Sequence, residues 1–256
     1  MITIDLKDKT ILMTGALGGI AEYIVNALIN AGATLILTDK CSIKEAQPIL
    51  EARGLSVENY YPMDVTDAEG VRKTIESIFE KWPNINVALG HAGGTGIAQF
   101  LEASPQDFYN LVNFNFLGQA YFAHAIGNQW VKRKIQGHLI FTSSFVSYIP
   151  MEGIAAYTSS KGGLEMLMKN LALEFSKYKI RVNAVSPGNV AAGKSKEMYD
   201  NDPEYKTWVD RVSPLGKRNN PEAIANAFIY LCSPLANELQ GHALLVDNGV
   251  GLPKLG

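Results

Sequence analysis

The sequence predicts an α/β fold in which a parallel β-sheet is covered by helices on both faces. Short apolar segments alternate with longer segments of helical period along the whole chain. Most of the short segments are nearly continuous apolar runs, which is typical of strands buried on both faces. No linker rich in Pro, Gly or Ser and no internal repeat divides the 256 residues. We therefore predict a single domain over residues 1–256.

The alternation predicts seven strands and six helices. From the apolar runs, in chain order, the predicted strands are Thr10–Thr14, Thr34–Thr38, Ser56–Tyr61, Asn86–Leu89, His138–Thr142, Arg181–Ser186 and Ala243–Val246. From the helical period, the predicted helices between them are Ile20–Asn30, Ile43–Arg53, Ala68–Lys81, Gln106–Val131, Tyr157–Lys177 and Pro221–Leu231.

One stretch, residues 188–220, interrupts the alternation. It mixes charged residues with Tyr199, Tyr205 and Trp208. A long insertion between a strand and the next helix is usually functional in a compact domain. We predict a substrate lid of short helices over the carboxyl edge of the sheet, because the aromatic residues favour a packed segment over the alternative, a disordered surface loop.

Composition excludes several classes of protein. A formal net charge of −2 and a pI of about 6.1 predict no nucleic-acid partner. No run of about twenty apolar residues predicts a membrane span. Cys41 and Cys232 lack a partnering motif, and the first residues lack the apolar run of a signal peptide, so we predict a cytoplasmic protein. No histidine pair has metal-ligand spacing, and no metal is predicted.

A glycine-rich turn follows the first strand and leads directly into an amphipathic helix. Glycines allow the chain to turn sharply and let its backbone approach a diphosphate, which the N–H groups and dipole of the helix favour. The candidate cofactor-binding residues of this turn are Gly15, Leu17, Gly18, Gly19 and Ile20.

Asp39 ends the second strand, 24 residues after Gly15. A carboxylate at this point can accept hydrogen bonds from the adenine ribose hydroxyls and would repel a 2′-phosphate. The glycine turn itself contains no Arg or Lys. Both features predict NAD as the cofactor, although the neighbouring Lys40 leaves NADP open.

Tyr157 and Lys161 open a helical segment at positions i and i+4, so their side chains share one helix face. This pair alone is weak evidence, because such pairs arise by chance. Ser144 strengthens it, since this residue lies directly beyond the end of the fifth predicted strand, thirteen residues before Tyr157.

At these residues the sequence resembles the short-chain dehydrogenase/reductase family, over essentially the whole chain. The matching positions are the glycine turn from Thr14 to Ile20, Asp64-Val65, Asn115 with Gly118, Ser144, Tyr157, Lys161, Asn183, Pro187-Gly188, and Val246-Asp247-Asn248-Gly249. The resemblance implies a single-domain, Rossmann-type, doubly wound parallel sheet, a nicotinamide cofactor and a small-molecule substrate.

The resemblance also implies the site. The implied catalytic residues are Asn115, Ser144, Tyr157 and Lys161. The further implied cofactor contacts are Asp64, Val65, His91, Ala92, Gly93, Tyr157, Lys161, Pro187, Gly188 and Val190.

The chemistry of these residues suits hydride transfer. A free tyrosine has a pKa of about 10, and the Lys161 ammonium and the positive nicotinamide should lower it. Tyr157 would then take the alcohol proton during oxidation or donate it during reduction, while Ser144 holds the substrate oxygen. The resemblance adds that Lys161 contacts the nicotinamide ribose and that Asn115 positions a water for proton relay.

Three positions depart from the family pattern. Ala21 replaces the third glycine of the turn, and Ala192 replaces a threonine that would hold the carboxamide. The family's Asn-Asn-Ala-Gly is Gly90-His91-Ala92-Gly93 here. His91 titrates near neutral pH or, as we favour, has a structural or cofactor-packing role.

The predicted function is NAD-dependent hydride transfer to or from a secondary alcohol or ketone, with a sugar, polyol or sugar acid as substrate. Candidate polar contacts for such a substrate are Asn189, Lys194, Ser195 and Lys196. The alternative is a 3-oxoacyl-thioester or steroid-type dehydrogenase, with an apolar pocket from Met151, Met198, Tyr199 and Trp208. A third alternative is a catalytically silent NAD-binding regulator.

Quaternary structure is inferred from the resemblance alone. Relatives commonly form homotetramers by pairing the helices that correspond to Gln106–Val131 and Tyr157–Lys177, and by packing the last strand against a neighbour. We therefore predict a homotetramer.

Overall fold

The computed structural model describes residues 4–252; residues 1–3 and 253–256, which belong to the predicted domain, lie outside this description. A single parallel sheet of seven strands runs through the described chain in the order β3-β2-β1-β4-β5-β6-β7. The strands are β1 (Thr10–Thr14), β2 (Thr34–Asp39), β3 (Tyr60–Pro62), β4 (Val87–Gly90), β5 (His138–Thr142), β6 (Arg181–Pro187) and β7 (Ala243–Val246). The predicted α/β class and single domain are confirmed.

Helices connect the strands and cover both faces. They are α1 (Gly19–Asn30), α2 (Ile43–Ala52), α3 (Ala68–Lys81), α4 (Pro105–Val112), α5 (Gly118–Arg133), α6 (Ala155–Phe175), α7 (Gly193–Asn201), α8 (Pro203–Val212) and α9 (Pro221–Cys232). Seven of these correspond to predicted helices or to parts of them, since α4 and α5 share one predicted segment.

The strand period of two divides the core between the faces. On β1, Ile11 and Met13 point to the core that α1 and α9 cover, whereas Leu12 points to the core under α3, α5 and α6. On β5, Ile140 belongs to the first core and Phe141 to the second. Both sides of the strands are therefore buried, which explains their continuous apolar runs.

The strand order reverses between β1 and β4. From β1 the chain proceeds outward through β2 and β3, and it then returns to place β4 on the other side of β1. The two connections leave the sheet in opposite directions, and a crevice opens at the carboxyl ends of these strands. Ligands of open α/β sheets bind at such a switch point.

Most predicted elements differ from the observed ones by at most two residues at an end, and two predictions were wrong by more than this. Within the predicted strand Ser56–Tyr61, Val57–Asn59 form a 3-10 turn, because the Ser56 hydroxyl accepts a hydrogen bond from the Glu58 N–H at 3.2 Å. The predicted helix Gln106–Val131 is divided by a π-helical turn at Asn113–Leu117, between α4 and α5. Asn115 causes this interruption by bonding to groups outside the helix, as described below.

The stretch predicted as a lid contains α7 and α8. Asp202 begins α8 by accepting hydrogen bonds from Glu204 N–H and Tyr205 N–H, and the next residue, Pro203, suits a first helical position.

No helix among residues 4–252 has both the length and the apolar character needed to cross a membrane. In the same range, no three His, Cys, Asp or Glu side chains gather as a metal site would require.

Candidate active site

A cavity of about 470 Å³ opens at the carboxyl ends of β1 and β4, where the strand order reverses. The predicted site residues that line it are Gly15, Gly18, Gly19, Ile20, Asp39, Asp64, Val65, His91, Ala92, Gly93, Ser144, Tyr157, Lys161, Pro187, Gly188 and Val190. Leu17 and Asn115 do not line the cavity and act on residues that do. The structure thus gathers residues that the sequence spreads over 175 positions, from Gly15 to Val190.

The glycine turn lies against the segment after β4. Gly15 has φ of +67°, and a Cβ on it would lie 2.6 Å from the Ala92 Cα. A Cβ on Gly19 would lie 2.7 Å from the Gly193 Cα, so the segment predicted as a lid packs against the turn as closely. The turn leads into α1, which no side chain of the described residues caps. Its first N–H groups are therefore placed to bind an anion.

Asp39 is fixed by backbone donors. Its Oδ2 accepts a hydrogen bond from the Leu17 N–H at 3.1 Å, and its Oδ1 accepts one from the Lys40 N–H at 2.8 Å. Leu17 therefore contributes to the site by orienting this carboxylate. Asp39 lies at the rim of the cavity beside the glycine turn, as its position at the end of β2 requires.

Arg53, which sequence reasoning missed, supports the turn from behind. Its guanidinium donates to the carbonyls of Ala16 and Leu17 at 3.0 Å each and to that of Gly18 at 3.4 Å. It also pairs with Glu22 at 3.7 Å. The glycine turn contains no cation, but the return of the chain after α2 supplies one to its carbonyl side. No local signal marked this residue, which lies 35 positions or more beyond the turn.

Tyr157 and Lys161 lie on α6, as their spacing predicted. Lys161 Nζ donates to the Thr142 carbonyl at 2.8 Å and lies 5.9 Å from the centre of the Tyr157 ring. Burial lowers the pKa of Lys161 to about 8, although the Glu165 carboxylate opposes this.

The sequence predicts that Lys161 lowers the pKa of Tyr157, but the groups of the chain itself raise this pKa. Burial raises this pKa, a hydrogen bond with Ser144 opposes the rise, and the nearby Tyr205 adds to it. Tyr157 is therefore held as the neutral phenol, and an added positive charge beside it would be needed to favour phenolate.

Asn115 ties two walls of the site together. Its Oδ1 accepts from the Gly94 N–H at 2.8 Å, and its Nδ2 donates to the Gly94 carbonyl at 2.9 Å and to Ser160 Oγ at 3.1 Å. The Ser160 hydroxyl in turn donates to the Tyr157 carbonyl at 2.7 Å. The π-helical turn directs this amide away from its own helix, and π-helical turns are frequent at functional sites.

His91 is a neutral part of the cavity wall. Its Nδ1 lies 2.8 Å from Thr142 Oγ1, and its N–H donates to Thr14 Oγ1 at 3.0 Å. Burial, together with the charge of Lys161, lowers its pKa to about 4, so the imidazole is uncharged at neutral pH. This supports the packing role over the alternative of titration near neutrality.

Gln119 fills the space that the unusual Gly90 leaves. A Cβ on Gly90 would lie 2.4 Å from Gln119 Oε1 and 2.7 Å from a ring carbon of Phe141. Gln119 is fully buried, and its Nε2 donates to the Ala92 carbonyl at 2.5 Å. The amide that the family pattern places at position 90 is thus replaced by one from the opposite helix, α5.

The groups predicted to contact the substrate are both polar and apolar. Lys194 and Ser195 line the cavity, whereas Asn189 is buried outside it and Lys196 pairs with Asp200 on the surface of α7. The apolar residues Met151 and Trp208 pack in one cluster with Tyr157. Met198 and Tyr199 are not part of that cluster, and Tyr199 instead lies 3.8 Å from the Arg218 guanidinium, which stacks on its ring.

Comparison with known proteins agrees with this geometry. The model of a protein family described as enoyl-(acyl carrier protein) reductase matches residues 15–251. The chain belongs to the short-chain dehydrogenase/reductase family, whose members are oxidoreductases that use a nicotinamide dinucleotide.

Among its relatives, the chain is 31% identical to L-rhamnose-1-dehydrogenase of Scheffersomyces stipitis over 96% of each chain. It is 27% identical to 2-dehydro-3-deoxy-D-gluconate 5-dehydrogenase of Formosa agariphila, covering 96% of this chain and 94% of that one. It is 28% identical to a 3-oxoacyl-[acyl-carrier-protein] reductase of Aquifex aeolicus, covering 96% and 99%. A crystal structure of a short-chain type dehydrogenase/reductase from Mycobacterium marinum is similar with a TM-score of 0.87 and 26% identity, covering 98% of each chain.

Replacing Arg53 tests its support of the glycine turn. We expect Arg53→Met to weaken dinucleotide binding about tenfold, because the loss of roughly 1.4 kcal/mol of charge-assisted hydrogen bonding frees the turn carbonyls. Calorimetric titration with NAD measures this. Arg72→Met, which removes an equally charged side chain from the exposed face of α3, is the control. Equal NAD affinity in both variants would contradict the assignment.

A double-mutant cycle tests the pairing of Gly90 with Gln119. We expect Gly90→Ala to lower the free energy of unfolding by about 1–3 kcal/mol, because the new methyl group overpacks the Gln119 amide. In a Gln119→Ala background the same change should cost about 1 kcal/mol less. Urea unfolding of the four proteins measures both numbers, and strict additivity would exclude the contact.

Proposed function

We propose that this protein is an NAD-dependent dehydrogenase that transfers a hydride between the nicotinamide and a secondary alcohol or ketone. The observation that carries the proposal is the arrangement of the cavity. The glycine turn and Asp39 lie at one side of it, and Ser144, Tyr157 and Lys161 lie at the other. A dinucleotide that joins these two groups would place its reactive end beside the tyrosine.

The residues of the cavity fit such a cofactor. The glycine turn lines the cavity with backbone because it packs directly against Ala92 and Gly193, and the uncapped start of α1 favours the charge of a diphosphate. Asp39 and Val65 would hold the adenosine, while Pro187, Gly188 and Val190 would lie beside the nicotinamide. When bound, the cofactor supplies the hydride acceptor or donor and, in its oxidised form, a positive charge.

The chain's own groups would move the proton. Tyr157 would accept the alcohol proton in oxidation and donate it in reduction, and Ser144 would hold the reacting oxygen as charge develops. Lys161 would keep a positive charge close to the phenol from its place on the Thr142 carbonyl. Asn115 would fix the segment after β4 through its two hydrogen bonds with Gly94. That Asn115 also positions a water for proton relay stays a prediction.

NAD rather than NADP is proposed from Asp39. Its carboxylate is held at the rim by two N–H donors, so it cannot turn away from a 2′-phosphate without losing both hydrogen bonds. Arg53, which contacts the turn, is engaged with three of its carbonyls, so Lys40 beside Asp39 is the residue that keeps NADP as the alternative.

For the substrate we propose a sugar, polyol or sugar acid. Lys194 and Ser195 supply polar groups at the lid side of the cavity, and two of the relatives named above act on sugars or sugar acids by their names. The second candidate is a 3-oxoacyl thioester. It is favoured by the apolar cluster of Met151 and Trp208 around Tyr157 and by the Aquifex relative.

Three further properties belong to the proposal. Residues 188–220 form the substrate lid, since Lys194 lines the cavity and Trp208 packs with Tyr157. The protein is a homotetramer, which the exposed Met166 and Leu173 of α6 and Leu245 of the edge strand β7 support. A cytoplasmic location stays a prediction from the cysteine pattern.

A substrate panel tests the reaction. We expect NADH to form with one or more aldoses, polyols or sugar acids, and Tyr157→Phe to lower kcat by at least about a hundredfold through loss of the proton donor. Absorbance of the reduced nicotinamide measures both. Activity with 3-oxoacyl thioesters or sterols alone would replace the substrate class. Absence of turnover despite NAD binding by calorimetry would favour the silent regulator.

Replacing Asp39 tests the cofactor preference. We expect Asp39→Ser to lower the ratio of kcat/KM for NAD to that for NADP by at least about tenfold, because the repulsion of the 2′-phosphate is lost. Asp8→Ser, a change of the same charge on an exposed residue, controls for net charge. A wild-type ratio below one would show that the enzyme prefers NADP.

A further inference from the structure

Glu165 is a buried carboxylate outside the cavity that the proposed reaction does not use. Its side chain is 95% buried on α6. Its Oε1 accepts hydrogen bonds from Ser147 Oγ at 2.6 Å and from Ser186 Oγ at 2.8 Å. A buried charge is costly unless it is paired and hydrogen-bonded, so this arrangement calls for a functional explanation.

The two donors come from the two segments that flank the reacting atoms. Ser147 ends the 3-10 turn that follows Ser144, and its hydroxyl also lies 2.6 Å from the Ser144 carbonyl. Ser186 precedes Pro187 at the carboxyl end of β6. A single carboxylate therefore joins the turn of the substrate-binding serine to the strand that leads to the nicotinamide site.

Glu165 also lies one helical turn beyond Lys161. With Tyr157 the three residues stand at i, i+4 and i+8 and share one face of α6. Among the charges that act on Lys161 within the described chain, the Glu165 carboxylate is the one that favours the ammonium, against the effect of burial. The counter-charge of the Lys161 ammonium is thus a carboxylate inside the protein, that of Glu165.

We propose that Glu165 is a positioning residue of the hydride-transfer site, which fixes the Ser144 turn to the end of β6 and places a carboxylate one helical turn from the ammonium of Lys161. The proposal rests on the proposed function, since it assigns Glu165 to the support of Ser144 and Lys161. Glu165 becomes the fourth ionisable residue with a proposed role in the reaction, after Tyr157, Lys161 and Asp39.

Several titratable groups surround this pair. His91 faces Lys161 from the segment after β4, Tyr148 faces Glu165 from the turn after β5, and Tyr205 faces Tyr157 from α8. Burial and the Glu165 carboxylate raise the pKa of Tyr148 to about 12. His91 has a pKa of about 4. Neither group changes charge between pH 6 and 10, whereas the pKa of Lys161, about 8, lies within this range.

Three variants separate the charge from the hydrogen bonds. Glu165→Gln keeps the size and removes the charge, and Ser186→Ala keeps the charge and removes one donor. Glu174→Gln makes the same change at an exposed position of the same helix and is the control. The measurements are kcat and KM with the alcohol found above, the NAD dissociation constant by calorimetry, thermal unfolding, and the titration of Lys161 followed by NMR of ¹³Cε-labelled lysine.

We expect Glu165→Gln to lower kcat about tenfold at pH 7.5 with an NAD dissociation constant within about twofold of wild type, because positioning is lost while the dinucleotide contacts remain. Loss of the anion disfavours the ammonium, so the Lys161 titration should move to lower pH, and the alkaline fall of kcat should move with it. Ser186→Ala should lower kcat without moving the Lys161 titration.

Two results would overturn the proposal. One is a Glu165→Gln variant whose kcat and Lys161 titration equal those of Glu174→Gln. The other is a fall of NAD affinity and thermal stability as large as the fall of kcat, with the Lys161 titration unmoved, which marks a general structural role. If wild type shows no turnover, the proposed function fails; the NMR titration, which needs no turnover, then still decides whether Glu165 holds the charge of Lys161. If Glu165→Gln does not fold, kcat of Ser186→Ala equal to wild type overturns the proposal.

Discussion

The contact of Gly15 with Ala92 is the constraint on which the site depends. The turn after β1 and the segment after β4 can meet only because Gly15 carries no side chain and adopts a positive φ. This contact closes the floor of the crevice where the strand order reverses. From that floor the cavity extends toward Asp39 on one side and toward Tyr157 on the other. A side chain at Gly15 would separate the two halves of the sheet at the point where a ligand must touch both.

The peptide groups around this contact need hydrogen-bond partners, because a turn at the end of a buried strand no longer forms hydrogen bonds with a neighbouring strand. Side chains from distant parts of the chain supply these partners. Asp39 accepts from the N–H side of the turn, Arg53 donates to its carbonyl side, and Thr14 Oγ1 accepts from the segment after β4. The turn is therefore held in one conformation before any ligand arrives. Such preorganisation reduces the ordering cost of binding.

Burial of the reacting groups has electrostatic consequences. In a low dielectric environment an unpaired charge is strongly disfavoured, and the ionisable groups on the wall of the site have specific partners. Lys161 donates to the Thr142 carbonyl and has Glu165 one turn away, while His91 remains neutral against Thr142. The same burial raises the pKa of Tyr157 and so disfavours ionisation of its phenol. The site is thus set so that a positive charge beside the phenol has a large effect on its proton.

Much of the fold and the site could be predicted from the sequence, because the signals are local. Apolar runs placed the strands, helical period placed most helices, and the glycine turn, Asp39 and the Tyr157–Lys161 pair follow from the spacing of neighbours along one element. Only the tertiary structure decided which distant side chains complete these elements. Arg53, Gln119 and Glu165 each act on a partner 21 or more positions away, and the π-helical turn forms because Asn115 bonds to Gly94 and Ser160 outside its own helix. The sequence by itself determined which elements exist and which chemical groups they end in. The order of the strands decided which of those groups meet, because hydrogen bonds and buried charges depend on distances that no local pattern encodes.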